Sequence, residues 1–292
     1  MRSVALVVET LRFSLCTPHL CSLRGMQYFQ NAVALITGAS SGLGAEFARQ
    51  LAPHAAALLL VARRADRLKE LEREVARPGL TIHCISADLA SDTALESLLQ
   101  KVEASGANVS LLVNNAGVGD HGDFENSEWS RVEAMLDVNI KGLTRLTHAL
   151  LPSLIRSGRG AVLNVSSIAS LIPVPKMAVY AATKAYVTSF SEAIRMETRG
   201  TGVSVTALCP GPVETEFFRI AERGGKEKPM ATPEFIRVRA EQVVREALSG
   251  VARDHARVIP GLLVSITMLF AAFIPMFLLR VLLAAGRGSR RS

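Results

Sequence analysis

Aromatic side chains are scarce in this 292-residue chain, at 5% of the total, with one tryptophan and three tyrosines. A core of this size must therefore be built mainly from aliphatic residues. Cysteines number four (Cys16, Cys21, Cys84 and Cys209), and none has a second pair at metal-ligand spacing. That excludes a zinc-ribbon or disulfide scaffold, and a chain this long needs no such support. Cys84 and Cys209 lie in apolar runs and read as small buried hydrophobes, which suits a reducing, cytoplasmic compartment. Glycine (21) and proline (12) occur at ordinary levels, so collagen-like or low-complexity disorder is excluded. Acidic residues are fewer than basic ones, 26 against 33, giving a net charge of +7. The excess sits at the ends: residues 1–25 contribute +2 and the stretch from Arg280 contributes +4, leaving +1 for everything between. A nearly neutral body carries no nucleic-acid footprint. The histidines at 19, 54, 83, 121, 148 and 255 form no ligand cluster, so no metal site is expected.

What the chain does have is alternation. Apolar runs at Ala32–Thr37, Ala55–Val61, Leu80–Ile85, Val109–Val113, Gly160–Val165 and Val203–Leu208 are separated by helical patterns. Those patterns span about Gly42–Leu51, Ala65–Ala76, Ala94–Val102, Ser127–Ile155 and Lys176–Glu197. Continuous apolar strands alternating with helices predict a doubly wound parallel sheet, a Rossmann-like three-layer α/β/α domain over residues 26–259. After Pro210 the regularity stops, and residues 214–231 read as a mobile segment. Thr232-Pro233-Glu234 has the signature of a helix start, and Arg257–Pro260 of a short last strand.

Thr37-Gly38-Ala39-Ser40-Ser41-Gly42-Leu43-Gly44 joins the first strand to the first helix. A glycine turn at that position lets backbone N–H groups and the helix dipole face a pyrophosphate. Gly38 permits the turn, Gly42 the close approach, and Gly44 the packing of helix on strand. A dinucleotide site selects its ribose at the end of the second strand, with an acid for a 2′-hydroxyl or an arginine for a 2′-phosphate. Here the strand ends Val61-Ala62-Arg63-Arg64, with no acid before Asp66, so NADP(H) is expected through Arg63 in preference to NAD(H).

Tyr180 and Lys184 stand at i, i+4 spacing, which stacks phenol and ammonium on one helix face. A neighbouring cation is expected to lower the phenol from its usual pKa of roughly 10. Four motifs occur in order: Thr37–Gly44, Asn114-Asn115-Ala116-Gly117, Ser166-Ser167, and Tyr180 with Lys184. Asp88, Asn139 and Pro210-Gly211 add three more points. With these the sequence resembles the short-chain dehydrogenase/reductase family, from about residue 30 to 235. The resemblance implies that Ser167, rather than Ser166, hydrogen-bonds the substrate oxygen. It makes Tyr180 the proton donor or acceptor, and Lys184 the group that holds the nicotinamide ribose and lowers the tyrosine pKa. Asn139 would support a water link to solvent. Cofactor contacts are implied for Gly38, Ser40, Ser41, Gly42, Leu43 and Gly44 in the turn, for Asp88 and Leu89 at the adenine, and for Asn115, Ala116 and Gly117 at the adenosine ribose. Pro210, Gly211, Val213 and Thr215 would fix the carboxamide. The implied activity is hydride transfer between a nicotinamide and a carbonyl or secondary alcohol. A homodimer or homotetramer is also implied. The alternatives are a sugar-nucleotide epimerase or dehydratase, which shares Tyr-x-x-x-Lys, and a non-catalytic cofactor-sensing binding protein.

Ile168, Leu171, Pro173, Val174, Met177, Phe217 and Phe218 flank the expected site and suggest an apolar, lipid-like substrate. Residues 261–279 contain no charge and, as a helix, span ~28 Å, close to a hydrocarbon core of ~30 Å. With the arginines that follow, residues 261–285 read either as a membrane contact or as an apolar tail packed over the pocket or a second subunit. In residues 1–25, Val4–Val8 is too short for a signal-peptide core and Glu9 interrupts it. That extension is expected to add nothing to the fold, with Met26 a candidate start.

Overall fold

The computed structural model describes residues 26–213, 216–222 and 237–272, together with 274, 277 and 280. The N-terminal extension, the helix start at Thr232–Glu234 and most of the C-terminal tail lie outside the described residues, as does Thr215.

Seven parallel strands form one sheet: β1 Val33–Thr37, β2 Ala57–Ala62, β3 Thr81–Ser86, β4 Leu111–Asn114, β5 Gly160–Val165, β6 Val203–Leu208 and β7 Arg257–Val258. Their spatial order is β3-β2-β1-β4-β5-β6-β7. The helices are α1 Gly42–Leu51, α2 Ala65–Val75, α3 Asp92–Ala104, α4 Trp129–Leu136, α5 Leu143–Ser157, α6 Ala178–Glu197, α7 Glu216–Ala221, α8 Ala240–Ala252 and α9 Leu262–Ala272. This is the expected doubly wound architecture. All six residues of β2 are buried, as are those of β5 and β6, which is why these strands read as unbroken apolar runs. Period-two alternation divides them between two cores. Ile36, Leu58, Leu60, Val113 and Leu163 pack with α1, α2 and α8 on one side. Leu35, Leu59, Val61, Leu112 and Val162 pack with α3 and α5 on the other. Each buried leucine contributes about 1.5–3 kcal/mol, so the two cores fix the sheet, and the sheet fixes the loops at its carboxyl edge.

The helical region expected over Ser127–Ile155 runs from Trp129 to Ser157, with a π-type turn, Asp137–Gly142, between α4 and α5. Of the segment expected to be mobile, residues 214–231, only 216–222 are described, and they include the helical turn α7. β3 has half-exposed positions, as suits its place at the sheet edge. Among the described residues no helix is long and apolar enough to cross a membrane.

Candidate active site

The strand order reverses between β1 and β4, and the cleft of an open α/β sheet lies outside the carboxyl ends at such a point. Here a cleft of about 450 Å³ runs from the glycine turn to Tyr180. Gly38, Ser40, Ser41, Gly42 and Leu43 line one end, with Arg63, Asp88 and Leu89 along the side. Asn115, Ala116 and Gly117 form its floor, and Ser167, Tyr180, Lys184, Pro210, Gly211 and Val213 close the other end. Gly44 and Asn139 stand behind the lining.

The turn is built for close approach. Gly38 has φ +65° and Gly42 φ +54°, a region that side chains disfavour. A methyl on Gly44 would overlap the carbonyl of Gly38, so α1 meets β1 only through glycine. Ser41, the N-cap of α1, makes no side-chain cap hydrogen bond. The turn is braced from β4: Asn115 Nδ2 donates to the carbonyl oxygens of Thr37 at 2.9 Å and Gly38 at 3.3 Å. Thr37 Oγ1 accepts from the amides of Asn115 and Ala116, both at 3.0 Å. The Asn115 side-chain N–H groups thus brace the turn, while the residue also lines the cleft.

At the other end, Tyr180 and Lys184 project from α6 and are only 8% and 4% exposed. Ser167 hydrogen-bonds to the phenol, which lowers its pKa, but burial dominates and pushes Tyr180 up to about 12. Burial also pushes Lys184 down, to about 8. Lys184 Nζ lies 5.8 Å from the tyrosine ring centroid and donates to the carbonyl of Val165 at 2.8 Å. The expected lowering of the phenol by its ammonium neighbour is therefore absent from the protein's own atoms. Desolvation sets the direction, and the ammonium is hydrogen-bonded to a backbone carbonyl instead of the hydroxyl.

Asn139, buried in the π-type turn, accepts from the Val118 amide at 2.9 Å and donates to the Val118 carbonyl at 2.9 Å and to Thr183 Oγ1 at 3.0 Å. It clamps the loop after β4 to α6. Ser166 is buried too, donating to the Lys184 carbonyl at 2.8 Å and pairing with Thr188 at 2.7 Å, so it braces α6 and leaves Ser167 facing the cleft. Of the expected apolar contacts, Ile168, Val174, Met177 and Phe217 line the cleft, while Leu171 and Pro173 do not, and the Phe218 side chain lies outside the described residues. Val118, Ile172 and Ile220 line it as well, together with Arg64, whose partner is Glu216 at 3.1 Å. Arg63, expected in the cofactor role, lines the cleft, and its neighbour Arg64 reaches Ser40 Oγ at 3.2 and 3.3 Å.

The chemistry of this lining suits a dinucleotide. Side-chain-free positions accept a pyrophosphate at the helix N-terminus, and two arginines stand where a ribose is read. Among the described residues no cluster of histidine, cysteine and carboxylate side chains could hold a metal ion. Both described cysteines are free, and burial pushes the Cys84 thiol up to about 11.

Residues 32–224 match the family described as short chain dehydrogenase. The chain is 39% identical over 197 residues to sulfoacetaldehyde reductase 2 of Chromohalobacter salexigens, covering 66% of this chain and 77% of that protein. A short-chain dehydrogenase from Sphingobium yanoikuyae, solved in complex with NADPH, superposes with a TM-score of 0.72 at 30% identity, covering 84% of this chain and 96% of that one. The bulky-bulky ketone specific alcohol dehydrogenase from Comamonas testosteroni gives 0.69 at 27% identity, over 84% and 95% of the two chains. This chain belongs to the short-chain dehydrogenase/reductase family and is an NAD(P)-dependent oxidoreductase of alcohol and carbonyl groups.

Proposed function

We propose that the protein is an NADP(H)-dependent reductase of apolar, lipid-like ketones or aldehydes, working in reverse on secondary alcohols. The observation that carries this reading is the meeting of Ser167, Tyr180 and Lys184 at one end of the cleft. A nicotinamide held in the cleft would supply or accept the hydride. Ser167 and Tyr180 hydrogen-bond the substrate oxygen, and Tyr180, a neutral phenol at physiological pH, hands it a proton as charge develops there. Lys184 holds the nicotinamide ribose, and Asn139 keeps the loop at Val118 in register with α6. The glycine turn takes the pyrophosphate, Asp88 and Leu89 the adenine, and Gly211, Val213 and Thr215 the carboxamide. Arg63 and Arg64 favour a 2′-phosphate, and the NADPH complex of the Sphingobium relative supports that preference.

Val118, Ile168, Val174, Met177, Phe217 and Ile220 around Tyr180 support an apolar substrate. The test is turnover of a carbonyl panel with each cofactor. NADPH should outperform NADH, and long-chain or bulky apolar carbonyls should outperform charged ones such as sulfoacetaldehyde. A preference for NADH, or for charged substrates, would overturn the corresponding half.

We also propose that the chain acts as a homodimer or homotetramer, supported by exposed Ile155, Tyr186 and Met196 on α5 and α6, and that its C-terminal segment contacts a lipid surface. Exposed Leu262, Leu263, Ile266 and Phe270 on α9, with the arginines that follow in the sequence, support the lipid contact.

A further inference from the structure

Two adjacent side chains of α7 reach two different parts of the cleft. Glu216 Oε2 lies 3.1 Å from Arg64 Nη1, and the same guanidinium donates to Ser40 in the glycine turn. The next residue, Phe217, has its ring centroid 5.3 Å from that of Tyr180. A methyl on Gly119 would sit 2.6 Å from the Phe217 ring, so the ring occupies the space that glycine leaves. One short helix therefore touches the cofactor-selecting end and the catalytic phenol together.

The surroundings of Arg64 give this pairing a purpose. Beside it opens a second cavity of about 700 Å³, lined by Arg49, Arg64, Arg67 and Arg219 and by Glu70, Glu74 and Glu216. Arg49 of α1 pairs with Glu74 of α2 at 2.6 Å, and Arg67 pairs with Glu70 one turn along α2 at 3.2 Å. Arg64 takes its acid from the far side of the chain, 152 residues on. A carboxylate seated on an arginine at the end of β2 occupies the guanidinium that a ribose phosphate would use.

We propose that Glu216 selects the cofactor by competition: its carboxylate holds Arg64 in place of a ribose 2′-phosphate, and entry of that phosphate displaces it and frees α7, with Phe217, from Tyr180. The inference rests on the NADP(H) reading above and deepens it by coupling cofactor identity to access at the phenol. Both side chains of the pair are more than a third exposed or close to it, so the competition is weak and a dianionic phosphate wins it.

The test is calorimetric titration of the full chain. Glu216→Gln should bind NADPH and adenosine 2′,5′-diphosphate about three- to five-fold tighter than wild type, with NADH and AMP unchanged. Arg64→Gln should weaken NADPH alone and abolish the gain from Glu216→Gln. Hydrogen exchange of the amides at 216–222 should accelerate when adenosine 2′,5′-diphosphate is added to wild type, and not when AMP is added. Equal gains for NADH, no gain for NADPH, weaker NADH binding, or unaltered exchange would each overturn the inference. The two readings fail separately. Wild type binding NADH more tightly than NADPH sinks the cofactor preference, whereas a preference for NADPH that Glu216→Gln leaves untouched sinks only the competition.

Discussion

Tyr180 and Lys184 are displaced in opposite directions by the same cause, loss of water around the charged form. The phenol rises to about 12 and the amine falls to about 8. The acid is therefore neutral and ready to donate near pH 7, while the lysine loses its charge just above physiological pH. If the charged lysine holds the ribose, kcat/KM for carbonyl reduction should fall as pH rises through about 8. A pH–rate profile with its alkaline limb at 10 or above would contradict that role. The lysine also affects stability. Its folded pKa lies below its unfolded value of 10.5, so the unfolded chain binds more protons between about pH 8 and 10.5, and stability rises with pH across that window. Below the window the full cost of burying the ammonium remains. At about 1.4 kcal/mol per unit that is on the order of 3 kcal/mol, of which a non-polar replacement would give back about 1–2 kcal/mol by leaving the Val165 carbonyl without its donor. Lys184→Met should accordingly raise the unfolding free energy at pH 7 by about 1–2 kcal/mol while abolishing turnover. Urea unfolding of the cofactor-free protein measures this, and a destabilised variant would count against it. Tyr180 acts the opposite way: its raised pKa makes stability fall as pH climbs from about 10 to 12.

At the scale of elements, the glycine turn divides two kinds of glycine. Gly44 is required by contact, since a side chain there meets the Gly38 carbonyl, whereas Gly106 has φ +67° with nothing within 4 Å. Gly44→Ala should cost about 1–3 kcal/mol through overpacking and also weaken cofactor binding, because α1 can yield only by moving the turn. Gly106→Ala should cost about 1–2 kcal/mol from backbone conformation alone and leave binding unchanged. Thermal melts with NADPH titrations separate the two, and equal binding losses would refute the distinction. The same elements mark how far the sequence could be read. β2 and β5 were legible because burial on both faces leaves an unbroken apolar signature, and the turn because its glycines sit between a strand and a helix. The π-type turn at Asp137–Gly142 was not legible, because Val138, Ile140 and Leu143 continue a helical pattern through it. Spacing placed Lys184 on the same face as Tyr180 but missed that its ammonium turns to Val165. The Arg64–Glu216 pair was beyond reach for another reason: it joins residues 152 apart in the sequence, through a short helix that carries no motif.

For the molecule as a whole, the uneven charge and the uneven apolar surface coincide at the C-terminal end. Val264 and Ser265 of α9 are buried against the body, Val264 in the core that contains α8. Leu262, Leu263, Ile266 and Phe270 remain exposed, at spacings of three, four and eight residues that align them along one face. Beyond the helix the sequence from Arg280 adds four arginines and no acid. An apolar face followed by positive charge fits an anionic lipid surface, with the electrostatic part screened by salt. Cutting the chain before Leu262 would also remove Val264 and open the core, so substitution on the exposed face is the cleaner probe. The full chain should float with phosphatidylserine-containing vesicles at low salt, float less at high salt, and lose flotation in Phe270→Glu with its turnover of a water-soluble ketone retained. If flotation is absent even at low salt, the lipid contact fails. If wild type instead measures as a dimer by light scattering and Phe270→Glu as a monomer, a second copy of the chain covers this face.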